Sequence, residues 1–319
     1  MTGRAEVRLG NRGDPLERTE ARVGLEEGHI HQIPFRGGLL DLQSRDGHWD
    51  IDTVRVELAQ AWLRGRGGVG PEAMDLVFRY EGDLRPWRQF LRQESLEGSG
   101  DLRVRLSGAT ERPYLEVSGG LTRLEIATVR TRRVELRQAS GVVANGRDLS
   151  FDFLAPAGAS IAGTPFSRAE GRLRVTDDRV ITENLHLERG DTSVTVTGQV
   201  WWEPHVQIAV EGAEALVDGR RFWIDDPGEL SYREHVLMTP GLRVKTPRGE
   251  FQVSGDWDTK SHDLNLVCRL DDLDYSVFFP PEEPPSLLIG SASGEFSLAG
   301  TAPLLDANAD LFLRGIGWE

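Results

Sequence analysis

Hydrophobic and polar residues alternate along most of the chain. A period of two places successive side chains on opposite faces of an extended strand, so that one face is apolar and the other polar. The alternating segments begin at Leu40, Val54, Leu102, Leu173, Leu185, Val194 and Phe251. Because this pattern is typical of half-buried strands, we expect an all-β protein.

Turn signals and two helical stretches interrupt the alternation. Asn145-Gly146 stands between two alternating segments and is typical of a two-residue hairpin turn. Residues 84–94 have apolar side chains at helical spacing, and so do residues 273–279, which Pro280 ends. We therefore expect antiparallel strands with one or two short helices at the rim of the sheet.

A strand unit bounded by glycines recurs in the sequence. Gly171 and Gly198 are 27 residues apart, and Gly228 and Gly255 have the same spacing. Aligned without a gap, the apolar positions of one unit fall on apolar positions of the other. Residues 38–65 form a third copy with the same spacing, which indicates a repeat protein.

A longer period contains this short one. The third copy precedes the unit that starts at Gly228 by 190 residues, and the segments that follow both units correspond at offsets between 188 and 192. We therefore predict a partial leading repeat over residues 1–35, a first long period over 36–227 and the start of a second, truncated period over 228–319.

One face of such strands must be hidden from water. Either a second sheet packs on it, or the sheet curls into a groove that shelters acyl chains. We expect an elongated, curved antiparallel sheet with a groove, and a closed sandwich remains the alternative. The side chains predicted to line the groove are Leu40, Leu42, Val54, Val56, Leu173, Val175, Leu185, Leu187, Val194, Val196, Leu230, Tyr232, Leu242, Val244, Phe251 and Val253.

Composition narrows the classes of function. Fifty-one acidic and 37 basic residues give a net charge of -14, and scattered basic residues argue against nucleic acid as a partner. Cys268 is the only cysteine, which excludes an intrachain disulfide. The sequence has no secretory signal and no apolar run of membrane-spanning length, so we expect either a cytoplasmic protein or a piece of a longer exported one.

Catalytic and metal-binding signatures are absent from the sequence. It contains no phosphate-binding loop, no zinc-protease motif and no hydrolase nucleophile elbow, so we predict no enzymatic activity and no cofactor. His29 and His31 share a strand face without a third ligand nearby, which argues against a metal site. The acidic stretches 225–227 and 271–274 are interpreted as turns or caps rather than calcium sites.

Two further groups of residues have competing interpretations. The basic run 130–137 would either contact lipid phosphates or lie on the outer face of a strand, and alternation favours the outer face. Trp201, Trp202, Trp223 and Trp257 would form either a sugar-binding platform or part of the core or groove lining. We favour the core or groove lining.

The repeated units resemble a known family. Residues 163–175, 193–198 and 294–303 show its form, in which Gly-x-Leu-x-Val, a turn and Leu-x-Leu precede Val-x-Val-x-Gly. These segments resemble the AsmA-like superfamily and in particular the TamB-like proteins, over most of residues 36–317. The resemblance implies a cell-envelope protein of diderm bacteria, anchored in the inner membrane and crossing the periplasm as a β-sheet with an apolar groove. The anchor and the C-terminal module of that family are not recognisable in this sequence.

The function implied by the resemblance is non-enzymatic. A periplasmic β-groove segment would support phospholipid transport to the outer membrane, or assembly of that membrane, with phospholipid acyl chains as its ligands. An outer-membrane β-barrel partner would be contacted through other parts of the parent chain. The alternatives are an extracellular structural or adhesive β-repeat protein and a carbohydrate-active β-solenoid enzyme.

Overall fold

The protein is built from antiparallel strands that form two compact units, Met1–Asp177 and Asp178–Glu319. The described part of the chain contains twenty-four strands, which confirms the expected all-β antiparallel architecture. The computed structural model describes residues 3–9, 18–30, 33–45, 47–88, 94–126, 129–142, 148–161, 163–201, 206–274, 277, 289–301 and 303–317.

The first unit is largely a meander of neighbouring strands. From β4 to β11 each strand pairs with the next, β11 then pairs with β14, and β2 pairs with both β1 and β4. The short strands β3 and β12 pair with one end of β4 and β10, and β13 pairs with β12. The strands are β1 (Gly3–Leu9), β2 (Arg18–Leu25), β3 (Gly28–Ile30), β4 (Ile33–Arg45), β5 (His48–Leu58), β6 (Ala61–Val69), β7 (Ala73–Asp83), β8 (Glu97–Ala109), β9 (Tyr114–Ile126), β10 (Val129–Val142), β11 (Asp148–Ala155), β12 (Ala159–Ile161), β13 (Thr164–Phe166) and β14 (Arg168–Val175).

The second unit follows the same plan. Strands β15, β16 and β17 pair in order, β18 and β19 share the next edge of β17, and β20 to β24 continue the sheet. The strands are β15 (Arg179–Arg189), β16 (Thr192–Trp201), β17 (Val206–Val217), β18 (Arg220–Ile224), β19 (Gly228–Arg233), β20 (Val236–Lys245), β21 (Glu250–Asp258), β22 (Asp263–Asp274), β23 (Ile289–Thr301) and β24 (Leu304–Gly317).

The short repeat is visible in the register of the strands. In the β15–β16 pair the register shifts just after Thr182, which lies opposite Gly198. In the β20–β21 pair the shift follows Thr239, which lies opposite Gly255. Both members of the second pair come 57 residues after those of the first. The repeated-strand character expected from the sequence is therefore confirmed.

The third copy of the short repeat ends two residues later than predicted. In the β5–β6 pair the register shift follows Ile51, which lies opposite Gly67 rather than Gly65. Gly67 and Gly255 also share a positive φ, 141° and 136°. The structural counterpart of Gly255 is thus Gly67, because the position of the bulge, and not the spacing between glycines, defines the unit.

The long period recurs in the order of the strands. β7 begins at residue 73 and β22 at 263, β8 at 97 and β23 at 289, and β9 at 114 and β24 at 304. In both copies a stretch of similar length separates the first of these strands from the second, residues 84–96 in the first copy and 275–288 in the second. The predicted boundaries after residues 35 and 227 remain a prediction.

The structure describes only parts of the two predicted helices. Arg85–Trp87 forms a single 3₁₀ turn within the predicted helix 84–94, of which residues 89–93 lie outside the described residues. In the second stretch, Leu273 belongs to β22, and most residues after 274 lie outside the described part. The predicted helix therefore starts too early, because β22 ends only at Asp274, and the rest of this stretch stays a prediction. No helix among the described residues has the length and hydropathy required to span a membrane.

The predicted Asn-Gly hairpin connects paired strands. Val142 of β10 lies opposite Asp148 of β11, so the chain reverses between these two residues. The turn itself, including Asn145 and Gly146, lies outside the described residues. The hairpin is therefore seen through its two strands, and the turn type remains a prediction.

Candidate functional site

An apolar face extends across ten strands of the first unit. Residues directly opposite each other in antiparallel strands point to the same face of the sheet, so the register assigns each side chain. One cross-strand row consists of Val23, Leu40, Val54, Gly65, Phe78, Val104, Val117, Ala139, Phe151 and Leu173. The neighbouring row consists of Ala21, Leu42, Ile51, Gly67, Leu76, Leu106, Leu115, Gly141, Leu149 and Val175. We call these two rows the first apolar face.

The second unit has a corresponding second apolar face. In β15 to β18 its rows are Leu185, Val196, Ala213 and Ile224, and Leu187, Val194, Ala215 and Phe222. A second pair of rows starts in β16 and β17. The row through β16, β17 and β19 consists of Val200, Ile208 and Leu230, and the row through β17 and β19 to β22 consists of Val206, Tyr232, Leu237, Trp257 and Leu264. In β20 to β24 they are Leu242, Val253, Cys268, Phe296 and Ala309, and Val244, Phe251, Leu270, Gly294 and Leu311.

Most side chains of both faces are only partly shielded from water, whereas Ala139 of the first face and Cys268 and Leu270 of the second are buried. Of the sixteen residues predicted to line the groove, Val56 is buried, with 2% of its surface exposed, and the other fifteen are half-buried. Val56 lies opposite Leu63, beside the first row. A closed sandwich would bury such a row on both sides. Within the described residues, these faces therefore remain accessible to an apolar ligand.

One end of the first apolar face is closed by a compact cluster. Tyr80, Leu84 and Leu96 are 2%, 7% and 3% exposed, and they pack in one core cluster with residues of β4 to β6. The ring of Trp87 meets that of Tyr80 edge-on, with centroids 5.6 Å apart. The segment after β7 thus folds over the strand ends, as the sequence predicted for a rim element.

The hydroxyl of Tyr80 provides a pH-dependent test of this closed end. Burial raises the pKa of Tyr80 from 10.0 to about 12, and its hydroxyl donates a hydrogen bond to the carbonyl oxygen of Asp83. Because the folded-state pKa is raised, this stabilising contribution is complete below about pH 10 and is lost as the pH rises towards 12. We expect it to reach roughly 3 kcal/mol.

The measurement compares thermal unfolding of the wild type and Tyr80→Phe between pH 8 and 12. The wild type should lose stability above pH 10 more steeply than the variant, because phenylalanine has no hydroxyl to ionise. Parallel pH profiles would contradict the burial of Tyr80.

A smaller buried cluster closes the corresponding end of the second face. Leu273 is fully buried at 0% exposure, and Cys268, Leu270 and Ala292 pack around it. Val277 contacts the same cluster. Burial also raises the pKa of the Cys268 thiol, so this side chain is a small core residue.

The polar faces carry arginine–carboxylate pairs. Arg105 lies 2.8 Å from Asp75, and Arg174 lies 2.7 Å from Asp148. The hydrogen bond from each arginine holds the pKa of its aspartate below the ordinary value. These groups are exposed, so they keep the outer face hydrated rather than stabilising the fold strongly.

The acidic stretches named from the sequence are also paired with cations. Lys245 lies 2.8 Å from Asp225, and its hydrogen bond lowers the pKa of that carboxyl. Arg248 lies 3.0 Å from Asp274. Among the residues that the structure describes, no three His, Cys, Asp or Glu side chains are grouped to hold a metal ion. The side chain of His29 and the whole of His31 lie outside that part.

The basic run has ion pairs of its own. Arg130 lies 2.9 Å from Glu125 and Arg133 lies 2.9 Å from Glu135, and both arginines are exposed. The outer-face interpretation of this run agrees with that exposure. These two arginines already have carboxylate partners, so neither could hold a phosphate without giving up its ion pair.

Two of the tryptophans do not lie where the sequence suggested. Trp201 lies opposite Gln207, and Trp223 lies opposite Glu214, so both point to the polar face. Both are half-buried, Trp201 beneath Arg179 and Trp223 beneath Arg221. The core or groove-lining expectation is wrong for these two, because Trp201 follows Val200 and Trp223 follows Phe222, both on the apolar face, and alternation turns the next residue to the other face. Trp202 lies outside the described residues.

Comparison with known proteins found no match to this chain. No family model matches the chain, and neither the curated proteins nor the solved structures include a match.

Proposed function

We propose that the chain is a non-enzymatic β-groove segment whose apolar faces bind the acyl chains of phospholipids. One observation carries the proposal: two rows without a polar residue cross ten strands of the first unit, and the side chains in them that the sequence predicted to line the groove are only half-buried. A monomeric protein rarely leaves so large an apolar surface accessible without using it.

The energetics of lipid transfer fit this surface. Moving an acyl chain of about 16 carbons into water costs on the order of 12 kcal/mol, at ~0.8 kcal/mol for each CH₂. A face that offers apolar side chains on nine of its ten strands, with only glycines on β6, removes much of this cost along most of its length. Because the face has no distinct pocket, binding should depend little on the identity of the head group.

The resemblance to the AsmA-like superfamily gives the proposal its biological setting. We place the protein in the periplasm of a diderm bacterium, where it would support phospholipid transport to the outer membrane or assembly of that membrane. The expectations of an elongated, curved sheet, of an inner-membrane anchor on the parent protein and of an outer-membrane partner belong to this proposal.

The proposal is tested by a pair of substitutions on neighbouring residues. Phe151 lies in the first apolar face, whereas Ser150 points to the polar face opposite Ser140 and Arg174. Phe151→Asp should reduce binding of a fluorescent fatty acid at least tenfold, because an ionised carboxylate in the row must be desolvated by the acyl chain. Ser150→Asp adds the same charge on the other face and should change the affinity less than twofold.

Lipid content supplies the second readout. The chain purified from a bacterial host should contain phospholipid detectable by mass spectrometry, and the Phe151→Asp protein should contain much less. A wild-type protein that is free of lipid and does not bind the fatty acid would sink the proposal in favour of a structural β-repeat.

A further inference from the structure

We propose that a row of arginines on the polar face of the first unit is a binding site for an anion that carries several phosphate groups. Arg55, Arg64, Arg79 and Arg103 lie directly opposite one another on β5, β6, β7 and β8. All four side chains are exposed. We call them the arginine row.

This register makes folding less favourable when no ligand is bound. Like charges directly opposite on neighbouring strands destabilise a sheet. By contrast, Arg269 on β22 has an acidic residue opposite it, Glu295, with the two side chains 3.0 Å apart. Four cations in succession are the more unusual because the whole chain has a net charge of -14. The next cross-strand row on this face holds Glu57, Glu81 and Asp101, and a bound polyanion would complete the neutralisation that these carboxylates begin.

The charge of the row is only partly neutralised by the protein. Asp101 lies 2.9 Å from Arg79 and pairs with it. Arg103 and the nearby Arg66 have no ion pair among the residues that the structure describes. These two guanidinium groups can therefore each present a full set of donors to a ligand.

An aromatic ring holds two of the cations without neutralising them. The guanidinium group of Arg55 lies 4.3 Å from the ring centre of Trp62, and that of Arg64 lies 5.9 Å from it. Stacking on an aromatic face restrains a guanidinium while its donors at the edge stay free. The two groups are thereby oriented before a ligand arrives, which lowers the entropic cost of binding.

The arginine row lies in a shallow concavity of about 1010 Å³. The four arginines and Arg66 line it together with two carboxylates, those of Asp52 and Asp101, which leaves a net lining charge of +3. Asp52 accepts a hydrogen bond from Gln43, and Asp101 is paired with Arg79.

The length of the row indicates a ligand with more than one phosphate. Four strands at ~4.8 Å spacing place the outermost arginines about 14 Å apart. A single phosphate cannot reach from one end to the other, whereas a chain of phosphates offers an oxygen pair to each planar guanidinium group.

The site is independent of lipid binding in the groove. Arg103 stands between Leu102 and Val104, both of which point to the opposite face of the sheet. An acyl chain held on the first apolar face therefore cannot place its own head group on the arginine row. If the lipid experiment failed, the arginine-row proposal would still stand. If the phosphate experiment failed, the lipid proposal would still stand.

The test is calorimetric titration with sodium tripolyphosphate in 0.15 M salt, a concentration at which the screening length is about 8 Å. The double variant Arg64→Gln, Arg103→Gln should bind at least tenfold more weakly than the wild type. The matched control is Arg172→Gln, Arg174→Gln, which removes the same charge from the polar face of β14 and should change binding less than twofold. Thermal unfolding of the first double variant should occur at the same or a higher temperature, since like-charge repulsion is relieved.

Vesicle sedimentation distinguishes the two sources of phosphate. Binding of tripolyphosphate indicates a soluble ligand, and binding only to phosphatidylcholine vesicles that contain cardiolipin, whose head group carries two phosphates, indicates lipid head groups. Either result supports the site if the double variant Arg64→Gln, Arg103→Gln loses that binding. Absence of both, or equal loss in the two double variants, would overturn the proposal, and so would tighter binding to duplex DNA than to either phosphate probe.

Discussion

Replacing Gly255 with alanine is expected to lower the free energy of unfolding by about 3 kcal/mol or more. The backbone at Gly255 has φ 136°, a region that residues with a side chain rarely adopt. A Cβ atom there would lie 2.0 Å from the carbonyl oxygen of Asn265 on the paired strand. The strands would have to separate at the bulge, which would weaken the β21–β22 ladder.

Gly212 is the matched control for this substitution. It lies in the same unit, its φ is not positive, and the nearest atom to an added Cβ is the Ile224 carbonyl oxygen at 3.7 Å. Gly212→Ala should be neutral or stabilise by up to ~1 kcal/mol through the unfolded state. Urea unfolding followed by tryptophan fluorescence measures both variants. Equal stabilities for the two alanine variants would contradict the backbone geometry at Gly255.

Leu273→Ala should destabilise the protein by about 2–5 kcal/mol. Leu273 is fully buried, and the buried Cys268, Leu270 and Ala292 surround it, so alanine would leave a cavity. The free energy of unfolding in urea is again the measurement. Leu216→Ala, at a leucine that is 42% exposed, should cost well under ~1 kcal/mol.

A small effect at Leu273 would show that the closed end of the second apolar face is not packed as described. A large effect confined to that position would locate the stability of the unit at this end. The half-buried rows could then bind a ligand with little effect on folding. The proposed function needs this separation between the residues that stabilise the fold and those that bind the ligand.

The alternation of residues was sufficient to predict the apolar faces. Leu40 and Val54 were assigned to one face from period-two patterning, and they lie directly opposite each other in β4 and β5. Leu185 and Val196 do so in β15 and β16. This success has a simple cause: the face of a side chain on a strand depends only on its position along that strand.

Features that depend on more than one strand were predicted less well. Gly65 was chosen as the end of the first repeat because of its spacing, whereas the bulge places Gly67 there. The predicted helix over 273–279 begins with Leu273, which a strand buries instead. Both features depend on a neighbouring strand. Its register sets the position of the bulge at Gly67, and the space beside it accommodates the side chain of Leu273.

The sequence by itself determined that this chain forms a repeated array of strands with one apolar face, since alternation and glycine spacing are local properties of the chain. Only the tertiary structure decided which side chains meet across the strands. Arg64 and Arg79 are unremarkable in sequence, and Arg103 belongs to an ordinary alternating segment. They form one row because the hydrogen-bonded register of β6, β7 and β8 aligns them. A shift of one residue in any of these strands would turn its arginine to the other face.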